Sequence, residues 1–433
     1  MRAEEFATLF QSGWVTRIWT FQEYALAVRP IVICGDSKLP FEQFQGLTSK
    51  VLLADLTSDF FSDTASSIAF NRWYNRNHAK GFLKTLAELK PNKPRLKEVT
   101  LSFFLTAVTS SILSHSSDPL DKVYALYGIL LESFENLPAI DYTLDAKRLY
   151  EQFTLATIKA SRRFWPAYLN TSMFDVELGF PSWIPNLHPE WEEFSARYDE
   201  DMYGFLYHQN QSATPDSLVD LAALEGSIPG TISLKGQVTT QITALGIRIP
   251  DDDEYGAPFM ALLIKWMSFF MENHTANNLE GYSADKILGF SETIAHNDSA
   301  DQKARLTELF VLMYRDLGKI GLNEINDLDL YLSEMGKQLN EHRTWSNTLF
   351  YIHKQLKKTL LFSTAAGRVG RADAAVEVGD TIALLAGCST PVVLRRDGSN
   401  WRYIGSTCLH GIMDGEAWPS DGGADKLETF VFI

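Results

Sequence analysis

Cysteine is scarce in this 433-residue chain, and charged residues interrupt every apolar run well before the roughly 18 residues that a membrane span needs. The three cysteines, Cys34, Cys388 and Cys408, lie far apart, and none has the Cys or His neighbours of a zinc site. This usage fits a reducing compartment, where free thiols are buried as small apolar side chains. The first residues also lack the apolar core of a signal peptide. We therefore expect a cytoplasmic protein with no membrane contact.

Basic residues are outnumbered, because 39 Lys and Arg against 54 Asp and Glu give a formal net charge of -15. This balance repels phosphate backbones and argues against nucleic-acid binding. The densest basic stretch, residues 90–97, is short and broken by prolines, which is typical of a solvated linker. The chain also lacks a Gly-x-Ser-x-Gly elbow, a phosphate-binding P-loop and a dinucleotide fingerprint.

Helical and strand patterns occupy different parts of the chain. Apolar positions recur at helical spacing over much of residues 1–360, and they predict helices at 14–28, 41–57, 78–90, 97–114, 145–163, 257–273, 284–296, 300–316 and 328–359. Short β-rich runs divided by glycines fill residues 361–433. A strand pair is predicted near 231–248, and we expect it to pack with the C-terminal strands because isolated hairpins are marginally stable. The predicted fold class is α+β, with a mainly helical region and a small antiparallel β unit.

Five segments, in a fixed order along the chain, carry a resemblance to a known family. Residues 17–23 read Arg-Ile-Trp-Thr-Phe-Gln-Glu, and residues 118–128 read Asp-Pro-Leu-Asp-Lys-Val-Tyr-Ala-Leu-Tyr-Gly. The others are Ile-Asp-Tyr at 140–142, Pro-Ser-Trp-Ile-Pro at 181–185, and a tail that includes His-Gly-Ile-Met-Asp-Gly-Glu at 410–416. Together they resemble the fungal heterokaryon-incompatibility (HET) proteins, whose second segment usually reads Asp-Pro-Arg-Asp-Lys-Val-Tyr-Ala-Leu-Leu-Gly.

This resemblance implies fungal self/non-self recognition, in which an intact relative triggers programmed cell death through a protein partner. It also implies that residues 1–40 are the C-terminal remnant of a HET domain, a domain that resembles the α/β Toll/interleukin-1 receptor (TIR) domains. The opening Trp-Ile-Asp-x-x-Cys-Ile-x-Gln signature of HET domains does not occur in the chain. Three explanations of the missing signature stay open: a truncated gene product, a wrong start codon and a decayed paralogue. A role as a non-catalytic partner-binding module is a further alternative.

Glu23 is the candidate catalytic residue by resemblance. Some TIR domains cleave NAD with a helical glutamate in a Trp-x-x-x-Glu setting, and Trp19 and Glu23 have this spacing, one helical turn apart. Trp19 and Arg17 are then candidate NAD-binding residues, and the carboxylate would stabilise the positive charge that develops as the glycosidic bond breaks. We favour the plainer interpretation, an exposed Glu23 beside a core Trp19. No turnover is expected from this chain alone, because the rest of the pocket would lie upstream.

The segment at 118–128 also allows a functional interpretation, since Asp118, Asp121 and Lys122 have acid–acid–base spacing. We favour a helix start, in which Asp118 caps the helix and Asp121 complements its positive N-terminal end. Lys122 is then expected to form a surface ion pair.

Three other clusters are likewise interpreted as structural. The acidic run at 251–254 lacks the ligand spacing of a calcium loop and is expected to be an exposed turn. Cys388 lacks a local base and is expected to be buried rather than nucleophilic. The tail segment at 410–416 contains His, Asp and Glu that could bind a metal or move protons, but its two glycines favour tight turns.

Overall fold

The computed structural model describes residues 13–44, 46, 95–130, 134, 136–169, 179–188, 212–225, 227–250, 257–275, 284–295, 300–320, 348–349, 352–353, 355–373, 375–419 and 426–433. The fold is α+β, with a β-sheet in the C-terminal part of the chain. The chain divides into two compact units. Unit 1 comprises Met1–Arg162, Ser172–Phe180 and Ile184–Met202, and unit 2 comprises Arg163–Thr171, Pro181–Trp183 and Tyr203–Ile433.

The described part of unit 1 is mainly helical. Its helices are α1 (Gly13–Thr16), α2 (Trp19–Leu26), α3 (Arg95–Ile112), α4 (Asp121–Tyr124), α5 (Tyr127–Leu130) and α6 (Ala146–Ser161). Strands β1 (Ile31–Cys34) and β2 (Ser37–Pro40) form an antiparallel hairpin around the Gly35–Asp36 turn.

The single helix predicted for residues 14–28 is wrong, because the chain changes direction between α1 and α2. The backbone of His115 donates to the carbonyl of Thr16 at 2.7 Å and accepts from the N–H of Ile18 at 3.0 Å. These bonds occupy groups that a continuous helix would use internally. The periodicity correctly marks Ile18, Phe21 and Ala25 as buried, but Trp14 and Val28 at its two ends are exposed, and it misses the tertiary contact that interrupts the helix.

Helix α6 shows how closely local signals can fix an element. Asp145 has extended backbone dihedrals, and its carboxylate accepts from the N–H of Arg148 at 2.9 Å, which is the N-cap geometry. The helix ends at Arg162, which adopts the left-handed conformation with a φ of 53°. The predicted helix at 145–163 agrees with these bounds.

Unit 2 combines helices with an eight-stranded sheet. Its described helices are a short 3-10 turn (Trp165–Tyr168), α7 (Leu221–Glu225), α8 (Ala257–Asn273), α9 (Ala284–Ile294) and α10 (Ala300–Ile320). Its strands are β3 (Ile232–Arg248), β4 (Thr359–Thr364), β5 (Val369–Asp373), β6 (Thr381–Leu385), β7 (Val392–Asp397), β8 (Asn400–Ser406), β9 (Cys408–Leu409) and β10 (Glu428–Phe432). The strand order is β10-β8-β7-β6-β3-β4-β5-β9, and β10 also pairs with β3.

The strand pair expected near 231–248 is one continuous strand, β3. It pairs with β10 through residues 232–236, with β6 through residues 236–241 and with β4 through residues 242–248. A register shift between Val238 and Thr240 marks the place where the sequence suggests a break. Because three partners share its length, β3 stays extended where a hairpin was predicted.

Two apolar clusters form the core of unit 2. One joins α8, α9 and α10 to Leu361 of β4 and Val369 of β5. The other contains Leu360 and Phe362 of β4 together with side chains of β3, β5, β6 and β7. Neighbouring residues of β4 thus enter opposite clusters, as the alternation of side chains along a strand requires. The sheet is therefore covered by apolar contacts on both faces at β4.

Several other predictions can be placed on the described residues. The helices predicted at 257–273, 284–296 and 300–316 correspond to α8, α9 and α10. The helix predicted at 328–359 runs too far, because β4 begins at Thr359. The helix at 78–90, most of the helices at 41–57 and 328–359, and the acidic run at 251–254 lie outside the described residues. Among the described helices, none is long and apolar enough to cross a bilayer.

Candidate functional site

Three of the segments that carry the family resemblance meet at Asp121 in unit 1. The half-buried indole of Trp19 donates from Nε1 to Asp121 Oδ2 at 3.0 Å. The hydroxyl of Tyr142, from a third segment, donates to Asp121 Oδ1 at 2.8 Å. Both carboxylate oxygens of Asp121 therefore accept a hydrogen bond from a residue distant in sequence. Desolvation, followed by the bond to Asp121, raises the pKa of Tyr142 to about 12.

Tyr124 joins the second segment to the third more closely. Its hydroxyl donates to the carbonyl of Asp141 and accepts from the N–H of the same residue, both at 2.9 Å. Its ring contacts the rings of Tyr127 and Tyr142 edge to face, with centroid distances of 5.5 and 5.1 Å. These contacts hold residues 140–142 against α4, and we call Trp19, Gln22, Asp121, Tyr124 and Tyr142 the motif cluster.

Gly128 lies where α2 approaches α5 beside this cluster. A Cβ atom at position 128 would come closer to Oε1 of Gln22 than real Cβ contacts do. Any larger residue would require the Gln22 side chain to move. Because Oε1 is the end of a flexible side chain, the contact places the first segment beside the second without requiring glycine at position 128.

Lys122 was predicted to lie at the surface, and this prediction is wrong. Its side chain is buried, and Nζ donates to the carbonyl oxygens of Ser111 at 3.0 Å, Ile112 at 3.1 Å and Ser114. These carbonyls lie at and just beyond the end of α3, where helical carbonyls have no internal partner and a cation is favoured. The ammonium group of Lys122 therefore caps the C-terminal end of α3. The prediction failed because the spacing of residues in the sequence does not show which helix end a lysine side chain reaches.

The structure does not gather Arg17, Trp19 and Glu23 into a described pocket. Arg17 and Glu23 have exposed side chains, whereas the indole of Trp19 is directed to Asp121. Asp118 accepts from the N–H of Leu120 at 2.9 Å, a short turn that precedes α4. The catalytic role of Glu23 and the NAD-binding roles of Trp19 and Arg17 stay predictions.

A second polar cluster surrounds His410 in unit 2. His410 Nδ1 lies 3.4 Å from Glu292 Oε2, and the His410 ring contacts the ring of His274 with centroids 5.1 Å apart. His274 is fully buried and stacks on Phe270, and neither ring nitrogen has a hydrogen-bond partner among the described residues. Burial first, then the positive charges of His410, Lys286 and Arg368, lowers the pKa of His274 to about 4.

This histidine pair is not arranged as a metal centre. Among the residues that the structure describes, no group of three or more His, Cys, Asp or Glu is placed to hold a metal ion. Gly411 and Gly415 have φ angles of 79° and 94°, so the tail segment forms the tight turns that its glycines indicate. Sequence reasoning missed His274 and Glu292, because no local motif connects them with His410.

Cys388 lies in an environment that suppresses nucleophilic chemistry. It is fully buried, and its thiol donates to the carbonyl of Thr390 at 3.2 Å. Burial raises its pKa to about 11, so the reactive thiolate is not populated at neutral pH.

No protein-family model, curated protein or solved structure to which the chain was compared matches it. The motif cluster and the order of the five segments are therefore what supports a function.

Proposed function

We propose that the chain belongs to the fungal HET proteins and acts in the cytoplasm in self/non-self recognition linked to programmed cell death. In this proposal residues 1–40 are the C-terminal remnant of the TIR-like HET domain. The chain recognises a protein partner, and it does not act as an enzyme by itself.

The observation that carries the proposal is the meeting of three resemblance segments in the motif cluster. Trp19 belongs to the first segment, Asp121 and Tyr124 to the second, and Tyr142 to the third. Asp121 accepts hydrogen bonds from Trp19 and Tyr142 at 3.0 and 2.8 Å, and the ring of Tyr124 meets that of Tyr142 edge to face. A chance resemblance in short segments gives no reason for the matched residues to share contacts. By contrast, residues that recur in a family because they hold its fold together are expected to contact one another.

The contacts also indicate the role of the cluster. Asp121 uses both carboxylate oxygens, and the Tyr124 hydroxyl both donates to and accepts from the backbone of Asp141. These groups fix α2 against α4 and leave little hydrogen-bonding capacity for a substrate. We therefore assign the cluster the role of a joint between the HET remnant and the helical region, rather than a catalytic centre.

The experiment is a gene deletion in the source fungus followed by pairing with incompatible strains. Loss of the death reaction in at least one pairing is expected, and restoration by the chain should require Trp19. The variant Trp19→Phe removes the indole donor and should restore the reaction poorly, whereas the matched control Trp14→Phe changes an exposed tryptophan and should restore it fully. Normal death reactions in every pairing of the deletion strain would overturn the proposal.

NAD cleavage is tested separately with the purified chain. We expect no consumption of NAD above the buffer background, because the exposed Glu23 has no described pocket around it. Consumption that is abolished by Glu23→Gln, a change that keeps side-chain size, would show that the chain is an enzyme and not a recognition module alone.

A further inference from the structure

The hairpin of unit 1, together with Val28 just before it, exposes apolar side chains that globular proteins usually bury. The exposed fractions are 92% for Val28, 59% for Ile31 and 64% for Ile33. Ile31 and Ile33 are two residues apart on β1 and therefore share one face of the hairpin. Among the described residues, β1 pairs with β2 alone. An exposed apolar strand with an open edge is a template for another strand.

Backbone directions identify the groups at this edge. The carbonyl of Pro30 accepts from the N–H of Phe41 at 3.1 Å, so Pro30 faces the β2 side. Carbonyl and N–H groups of successive residues point to alternate sides of a strand. The backbone groups of Ile31 and Ile33 therefore point away from β2, towards the open edge.

We propose that β1 pairs in antiparallel fashion with β1 of a second copy of this chain, across a twofold axis at Val32. In this register Ile31 of one copy lies opposite Ile33 of the other, and both residues direct their backbone hydrogen-bonding groups across the interface. The exposed isoleucines of both copies then form one continuous apolar face. A twofold interface buries the same patch on each copy, as closed dimers require.

Charge complementarity selects a second copy as the occupant. Strand β1 has no charged residue, and it is flanked by exposed Arg29 on one side and exposed Asp36 on the other. The antiparallel register brings Arg29 of one copy beside the Gly35–Asp36 turn of the other, and the symmetry repeats this pair at the opposite end. The net charge of -15 makes two copies repel at long range, so the association depends on this local pairing.

The test measures the mass of the full chain by light scattering over a range of concentrations. We expect a monomer–dimer equilibrium, and Arg29→Asp and Asp36→Arg should each weaken the dimer about tenfold or more through like-charge contacts. An equimolar mixture of the two variants should regain the dimer, because each variant supplies the charge that the other needs. This rescue cannot result from misfolding of either variant.

A backbone substitution provides an independent arm. Ile33→Pro removes an N–H that points to the open edge, so the β1–β2 hairpin is expected to persist while the dimer is lost. The matched control Ile33→Thr keeps the N–H and a β-branched side chain and should retain measurable dimer. A monomer at all concentrations, a dimer indifferent to Ile33→Pro, or a monomer that instead binds a different polypeptide at β1 would overturn the proposal.

Discussion

Strands β1 and β6 have similar apolar sequences but opposite environments. Every residue of β6 is buried, and the strand lies between β3 and β7. By contrast, Ile31 and Ile33 of β1 are more than half exposed in a two-stranded hairpin. An apolar run therefore predicts a strand without predicting how many partners cover it. Burial depends on neighbours that come from distant parts of the sequence.

The two units also differ in the contacts that hold their elements together. In unit 1, Lys122 at the end of α3 and Asp121 in the motif cluster add polar contacts to buried apolar side chains such as Phe104 and Phe153. In unit 2, ladder hydrogen bonds and two apolar clusters connect the strands and helices. Truncation of a fully buried apolar side chain is therefore expected to be costly in either unit, whereas the substitution of Lys122 tests a polar contact of unit 1.

The largest effect is expected for Leu384→Ala in β6. Leu384 is fully buried in the second apolar cluster, so truncation should lower the free energy of unfolding by about 3 to 5 kcal/mol. The control Ile33→Ala removes an exposed side chain and should cost within about 0.5 kcal/mol at concentrations where the chain is monomeric. Urea unfolding of both variants gives the comparison, and equal costs would show that the environments of β1 and β6 do not differ.

Lys122→Met should have the next largest effect. Methionine keeps the length of the side chain but leaves three carbonyls at the end of α3 without their buried donor, which should cost about 2 to 4 kcal/mol. Lys159→Met, at an exposed position in the last turn of α6, is the matched control and should cost less than about 0.5 kcal/mol. If both lysines tolerate methionine equally, the capping role of Lys122 is wrong.

The sequence predicted those elements whose ends are determined locally. Helix α6 has its own cap at Asp145, and α8 has a long apolar pattern between polar flanks, so both were predicted closely. The predictions failed where distant residues intervene. His115 interrupts the helix predicted at 14–28, and three partner strands keep β3 continuous.

The candidate sites follow the same rule. Trp19 and Asp121 were both singled out from the sequence, but nothing in the spacing predicted that one would donate to the other. The position of Lys122 on α4 predicts a surface side chain, because the sequence does not show that the end of α3 lies within its reach. His274 and His410 are far apart in the sequence. Their rings meet only because the end of α8 packs against the turn at residues 410–411.

His274 makes the stability of unit 2 depend on pH. Its pKa is about 4 in the folded chain, against an ordinary value of 6.5, so the unfolded chain binds more protons between these values. Its contribution to stability is present above pH 6.5 and is lost as the pH falls towards 4. The loss should reach about 2 to 3 kcal/mol.

The variant His274→Phe isolates this contribution from the carboxylates that titrate in the same range. Phenylalanine keeps the stacking on Phe270 and removes two ring nitrogens that have no partner among the described residues. The difference in unfolding free energy between the variant and the wild type should therefore grow in favour of the variant as the pH falls from 6.5 to 4. A difference that does not change over this range would contradict a neutral, buried His274.

The smallest effect concerns the bond between Trp19 and Asp121. Trp19→Phe and Asp121→Ala each remove one partner, and a double-mutant cycle should give a coupling energy of about 1 kcal/mol, the usual net value of one hydrogen bond. The matched cycle combines Trp19→Phe with Asp145→Ala, whose carboxylate caps α6 instead, and should be additive. Because Asp121 also accepts from Tyr142, its single substitution should cost more than that of Trp19. Additivity of Trp19 and Asp121 would mean that the two resemblance segments are neighbours without an energetic link, and the motif cluster could then no longer support the proposed family.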